Sequence, residues 1–169
     1  DPKISKNEMI SNIKRVLTPK LETKGFILRK AIPKNGEGSG IIIENESTGN
    51  KKKIMIKKSK DYSKQYNLDS EFKFSGWFTS SESELNEYHG YIFAVYKDSV
   101  PTYFVFDRED MKVILNQKTV DSKGKYHFYL AEDKSGQYFD HRDGGLLLTE
   151  NVESWEKIER IIENSDIQR

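Results

Sequence analysis

Residues 40–60 read GIIIENESTGNKKKIMIKKSK, and this stretch decides the fold. Ile41, Ile42 and Ile43 lead in, Ser47-Thr48-Gly49-Asn50 is a turn cluster, and the chain returns through Ile54-Met55-Ile56-Lys57. Branched side chains suit a pleated surface and Ser, Gly and Asn suit a tight backbone, so the pattern predicts a β-hairpin. Six lysines fall between Lys51 and Lys60. A turn over 47–50 sets Gly40 opposite Lys57 and Ile42 opposite Met55.

Upstream, Met9, Ile10, Ile13, Val16, Leu17 and Leu21 recur at helical spacing over 5–24. Pro19 predicts a kink or two short helices, with Thr18 capping the second, and Gly25 is a stop signal. A strand is expected over 26–32 and a flexible loop over 33–40. Downstream, 61–70 reads as a polar, mobile loop and 71–78 as a strand. Ser80 or Ser81 is placed to cap a short acidic helix reaching Tyr88. Residues 90–96 (GYIFAVY) are the most apolar strand and are expected to be central, with a return strand over 102–106. Asp107 caps a helix to about Leu115, with Glu109 and Asp110 in its first turn. A strand over 126–130, an irregular stretch over 134–145 and a helix over 152–163 complete the order. The expectation is one α/β domain over 1–169 with a mixed central β-sheet flanked by helices.

The 169 residues carry no cysteine, which excludes disulfides and thiolate metal sites and fits a reducing compartment. No stretch approaches the roughly 20 apolar residues of a membrane span. Residues 1–8 lack the apolar region of a secretory signal, so a cytoplasmic location and no membrane partner are expected. The net charge of +1 conceals an asymmetry: residues 1–64 carry 16 Lys and Arg against 7 Asp and Glu, and residues 65–169 carry 12 against 20. A basic half suits a polyanion, and equally suits a lysine-rich surface that only solubilises the chain.

The hairpin with Lys57 on its second strand, followed by HGYIFAVY, a turn, TYFVFD and a helix, resembles the restriction-endonuclease-like superfamily of PD-(D/E)XK nucleases. The resemblance extends from about Ser5 to Leu115. It implies a sheet flanked by helices and DNA as partner. In that family two carboxylates hold a divalent cation that polarises the scissile phosphate and activates water, and a lysine stands beside the developing charge. Lys57 matches the family lysine and is the candidate catalytic residue. Met55 matches the second acidic position and Gly40 the first, so the motif is degenerate. Glu44 is four residues from Gly40, about 13 Å along the strand at roughly 3.3 Å per residue. Glu8 and Glu37 are the acids that an active, Mg²⁺- or Mn²⁺-dependent endonuclease with relocated carboxylates would need. An inactive domain would need no cofactor.

Lys51, Lys52, Lys53, Lys58, Lys60 and Lys64 are candidate phosphate contacts, and Tyr62 and Tyr66 candidate stacking partners for bases. The other reading is a charged strand that resists pairing with other chains. No set of residues shows metal-ligand spacing, so no metal ligands are assigned. Asp140-His141-Arg142-Asp143 reads as a turn held by side chain to backbone bonds, and Trp77 and Trp155 as core or near-core anchors. The leading expectation is a nucleic-acid-binding domain with an inactive nuclease site, binding double-stranded DNA as a homodimer or as part of a restriction or defence complex. An active endonuclease and a protein-interaction module without a nucleic-acid role are the alternatives.

Overall fold

The computed structural model describes residues 4–30 and 40–164. Ser5 opens α1 (Lys6–Glu22) by accepting the Glu8 N–H on its hydroxyl, which satisfies one donor that no helical carbonyl reaches. Met9, Ile10, Ile13, Leu17 and Leu21 are buried on one face. Of the kink or two short helices expected at Pro19, the two helices do not form, and α1 runs through it to Glu22. An interior proline costs about 3 kcal/mol, but only the last turn follows it here. Burying Leu17 and Leu21 returns about 1.5–3 kcal/mol each. Gly25 then leaves the helix at a φ of +77°, which any side chain would strain.

Three antiparallel strands follow: β1 (Phe26–Lys30), β2 (Gly40–Asn45) and β3 (Lys51–Lys60). The loop expected over 33–40 lies outside the described residues up to its last position, as do residues 31 and 32 of the expected first strand. The hairpin forms, but its register differs by two residues from the expectation: Gly40 stands opposite Met55 and Ile42 opposite Lys53. Asn45 is the cause. Its side-chain oxygen accepts from the Ser47 N–H, the Ser47 hydroxyl and the Thr48 N–H, and its backbone N–H bonds the Asn50 carbonyl. This side-chain turn draws the bend one residue toward β2.

β5 (Gly90–Lys97) lies parallel to β3 and antiparallel to β6 (Val100–Asp107), giving a mixed sheet in the order β1-β2-β3-β5-β6. As expected, β5 is an interior strand, buried from Gly90 to Tyr96. Asp98 and Ser99, both at positive φ, make the tight turn into β6.

The strand expected over 71–78 forms as β4 (Phe72–Ser81) but leaves this sheet. It pairs with β7 (Lys125–Asp133), which continues to β8 (Tyr138–Asp140) and β9 (Leu146–Leu147) in a second, antiparallel sheet. The single central sheet is thus corrected to two. Parallel strands need a crossover, and β4 with α2 (Glu82–Leu85) is the crossover between β3 and β5. Phe74 and Phe78 bury against Met55, Phe93, Phe104 and Phe106, so β4 packs face-on over the first sheet instead of beside it. At Gly76 a Cβ would stand 2.6 Å from the Val95 side chain, so a larger residue there would push the sheets apart.

The layers are helices, mixed sheet and antiparallel sheet. α1 and α4 (Glu156–Glu163) cover one face of the mixed sheet, with Ile41, Ile43, Ile54, Ile56 and Ile92 beneath them. α3 (Arg108–Asn116) closes an end of the inter-sheet core with Met111 and Ile114. Ser81 caps α2, and Asp107 caps α3 with a reciprocal bond from Asp110, both as expected. The closing helix is shorter than expected, because a 3-10 turn at Thr149–Asn151 precedes it and Val152 bridges to Phe104. Among the described residues no helix is long and apolar enough to cross a membrane.

Candidate nucleic-acid interface

The lysines of β3 do not form one row. Strand alternation divides them between the two faces of the sheet, and distance divides them again. Lys51, Lys52 and Lys53 flank the hairpin turn. Lys51 is exposed, Lys52 is 8% exposed, and the Lys53 ammonium stands 5.1 Å over the Tyr88 ring. Lys57, Lys58 and Lys60 occupy the other end, up to about 30 Å away at roughly 3.3 Å per residue. Lys64 is exposed in the segment that follows, and Lys60 stands 4.9 Å over the Tyr62 ring.

β2 pairs with β3 only as far as Met55, so the described part of β2 leaves the far end of β3 uncovered on that side. A basic trough of about 290 Å³ opens there. Lys57 and Lys58 from β3, Lys6 from the first turn of α1, and Trp77 and Thr79 from β4 line it. Lys57 is joined by an acid that the motif reading did not anticipate: Glu84 of α2, 3.3 Å from its ammonium. The Ser80 hydroxyl donates to the same carboxylate oxygen. The capping serine had marked Glu84 as a first-turn helix residue, but only the crossover of β4 and α2 carries it to Lys57.

The positions equated with the motif acids do not suit a hard cation. A Cβ on Gly40 would stand 2.5 Å from the Ile54 carbonyl oxygen and 2.8 Å from the Tyr88 ring, so the backbone leaves no space for an aspartate. Met55 is 1% exposed, inside the core between the sheets. Glu44 pairs with Arg29 at 3.3 Å, Glu8 is exposed on α1, and Glu37 lies outside the described residues. Among the described residues, no three His, Asp or Glu side chains converge as a metal cluster would require.

Trp77 was expected in or near the core and is 39% exposed. Alternation along β4 turns Phe74 and Phe78 inward and Trp77 outward. Trp77 separates the basic trough from a second cavity of about 410 Å³ on the outer face of the second sheet. Tyr62, Tyr66 and Leu68 overhang that cavity, and Ser75, Trp77, Tyr129 and His141 complete it. The 61–70 segment was expected to be mobile, but bonds tie it to the sheet. The Asp61 carboxylate accepts from the Ser63 and Ser75 N–H groups, and the Tyr62 N–H donates to the Ser75 carbonyl.

Hydrogen bonds fix the outer face. The Trp77 indole N–H donates to His127 Nδ1 at 3.0 Å. In the neutral ring this leaves the proton on Nε2, which donates to Asp121 at 2.8 Å. That bond, with the N–H groups of Lys125 and Lys123, holds the Asp121 carboxyl down at about 2. Burial, aided by the Lys118 ammonium, lowers His141 below its ordinary value, and its Nε2 lies 2.8 Å from the Ser75 hydroxyl. Asp140 accepts the N–H groups of Tyr129 and Arg142, as the turn reading of 140–143 required. Its second oxygen lies 2.7 Å from the Lys118 ammonium in a contact without hydrogen-bond alignment, and both side chains are almost wholly buried. The sequence reading had kept Tyr62 and Tyr66 but not Tyr129 or His141, which come from strands and a turn 60 or more residues on.

Comparison with protein-family models, with curated proteins and with solved structures returns no match.

Proposed function

We propose that this chain is a nucleic-acid-binding domain of restriction-endonuclease-like fold whose nuclease site is degenerate and inactive, with double-stranded DNA as its partner. The observation that carries the proposal is the trough of Lys6, Lys57 and Lys58. Three lysines around one depression at a strand end suit a polyanion, because each lysine that meets a phosphate displaces counterions from it. The order from α1 through the hairpin to α3 agrees with the order that the resemblance implies. Against cleavage stand Gly40, which has no space for a carboxylate, and Met55, which is buried in apolar packing. A site of this kind binds the backbone without polarising a phosphoryl oxygen.

Glu84 beside Lys57 is the one feature that favours the alternative of a relocated carboxylate. A single acid neutralised by a lysine is half of what a two-carboxylate cation site requires. The test is a binding and cleavage assay on duplex DNA at two salt concentrations, with and without Mn²⁺, for the wild type and Lys57→Ala. Salt-sensitive binding without cleavage is the expected result. Mn²⁺-dependent cleavage lost in Lys57→Ala would replace this reading with an active nuclease. Absent or salt-insensitive binding would leave the protein-interaction reading.

A further inference from the structure

We infer that the aromatic cavity beside the trough is a pocket for one unstacked nucleobase, entered from a strand whose phosphates lie along the lysines. The inference rests on the nucleic-acid reading above and adds to it a defined base-binding site. The cavity of about 410 Å³ falls in the size range of small-ligand sites. Two of its ring pairs stand at steep angles, Tyr62 and Trp77 at 72° with centroids 5.8 Å apart and Trp77 and Tyr129 at 89° and 6.3 Å, while Tyr62 and Tyr66 are tilted at 39° and His127 stacks on Trp77 at 23° and 5.9 Å. Steep pairs wall a space and do not fill it, and with Lys60 over Tyr62 and Arg142 over Tyr129 the ring surface left to a planar guest is the exposed part of Tyr66 and Trp77. Tyr66 is 52% exposed and Trp77 39%, an amount of uncovered aromatic surface that a stacked base would remove from water. The Ser75 hydroxyl and His141 supply polar atoms at the wall, and burial keeps that imidazole neutral, able to donate or accept.

The charge at the rim selects among planar or cationic guests. Lys60 lies over Tyr62, and Arg142 lies over Tyr129 with its guanidinium donating to the Tyr129 hydroxyl at 2.8 Å. Cages for quaternary ammonium ligands rely on aromatic faces left open to the cation. Here two faces already carry a fixed cation, and the Asp61 carboxylate is occupied by Ser63 and Ser75. A positive guest is repelled, and a planar guest bearing phosphate is attracted. Trp77 joins the cavity to the Lys57 and Lys58 trough, so base and phosphate have adjoining places. A paired base cannot enter, so the guest is a base from a single strand, a frayed end or a free nucleotide.

The test measures binding of a labelled single-stranded oligonucleotide, with normal and with abasic residues, by anisotropy for the wild type and Tyr66→Ala. Thymidine and adenosine monophosphates are titrated in parallel against intrinsic tryptophan fluorescence, with Trp77→Phe as control. The wild type is expected to prefer the normal oligonucleotide over the abasic one by roughly 5-fold or more, and Tyr66→Ala to lose that preference. Strand binding indifferent to abasic residues and to Tyr66→Ala overturns the pocket while leaving the lysine trough in place. Quenching by free nucleotide, lost in Trp77→Phe, without strand binding upholds the pocket with a nucleotide as its guest. Absence of both signals overturns the pocket, whatever the duplex assay shows for the trough.

Discussion

On the proposed reading, DNA binding turns on Lys57 and Glu84. Their side chains are 19% and 14% exposed, so each holds the other's charge in a poorly solvated place. Glu84→Gln releases the lysine without emptying the space, and should tighten DNA binding and steepen its logarithmic salt dependence by up to about 0.9. Lys57→Ala strands Glu84, and should cost about 1–3 kcal/mol in urea denaturation besides weakening binding. Gly40→Asp with Met55→Glu restores the letters of the nuclease motif. The first places a side chain against the Ile54 carbonyl and the second buries a carboxyl among aromatic rings. The double variant is expected to lose several kcal/mol, on the order of the cost of an unpaired buried polar group, and to gain no Mn²⁺-dependent cleavage.

At the scale of elements, the second sheet is held by polar contacts that acid will undo. Asp121 has a folded value of about 2 against an ordinary 3.8, so its contribution is complete above pH 3.8 and disappears as pH falls toward 2. His141 is lowered, chiefly by burial. As pH drops through 6.5 the unfolded chain takes up this proton first, and folding stability declines from there downward. His141→Gln should therefore remove the part of the acid loss that begins near pH 6.5, followed by thermal melting across pH 5 to 8. Lys118 and Asp140 pin the loop after α3 to β8. Burial raises the Asp140 carboxyl even against the pull of Lys118, which is the signature of a pair that desolvation opposes. Lys118→Met strands a carboxylate and should cost about 3–5 kcal/mol, while Lys118→Met with Asp140→Asn should recover much of that loss. Asparagine keeps an oxygen for the N–H groups of Tyr129 and Arg142.

Across the whole molecule, the basic half of the chain supplies α1 and β1 to β3, and the acidic half supplies β5, β6, the second sheet, α3 and α4. The lysines at the two ends of β3 are separated by about 30 Å, or roughly nine steps of 3.4 Å along a duplex. Duplexes shorter than this reach only the Lys6, Lys57 and Lys58 trough, where Glu84 offsets Lys57, so the expected salt slope is near −1.8 at about −0.9 per phosphate and approaches about −2.7 in Glu84→Gln. Longer duplexes that follow β3 would reach Lys51 and Lys53 as well, while Lys52 is buried, and their slope should be steeper. Equal slopes for short and long duplexes would confine the interface to the trough.

Local chemistry was enough to locate most elements. Ser81, one of two serines offered as a cap, and Asp107 announced their helices, because a cap is satisfied by neighbours three residues on. The hairpin and the apolar β5 followed from composition and turn residues alone. Two short helices do not form at Pro19 because burial at Leu17 and Leu21 overrides a backbone penalty, and Trp77 faces outward because the phase of one strand is set by what its partner sheet needs to bury. The placement of β4 in a second sheet had no local signal at all. It follows from the crossover that parallel β3 and β5 require, and from a phenylalanine-rich face of the first sheet that needed a cover. Lys57 and the basic half were therefore legible from the sequence by itself. Glu84 beside Lys57, the closed space at Gly40 and the ring of Tyr62, Tyr66, Trp77, Tyr129 and His141 were decided by tertiary structure, since contacts between residues far apart in the chain depend on how layers stack and not on spacing along it.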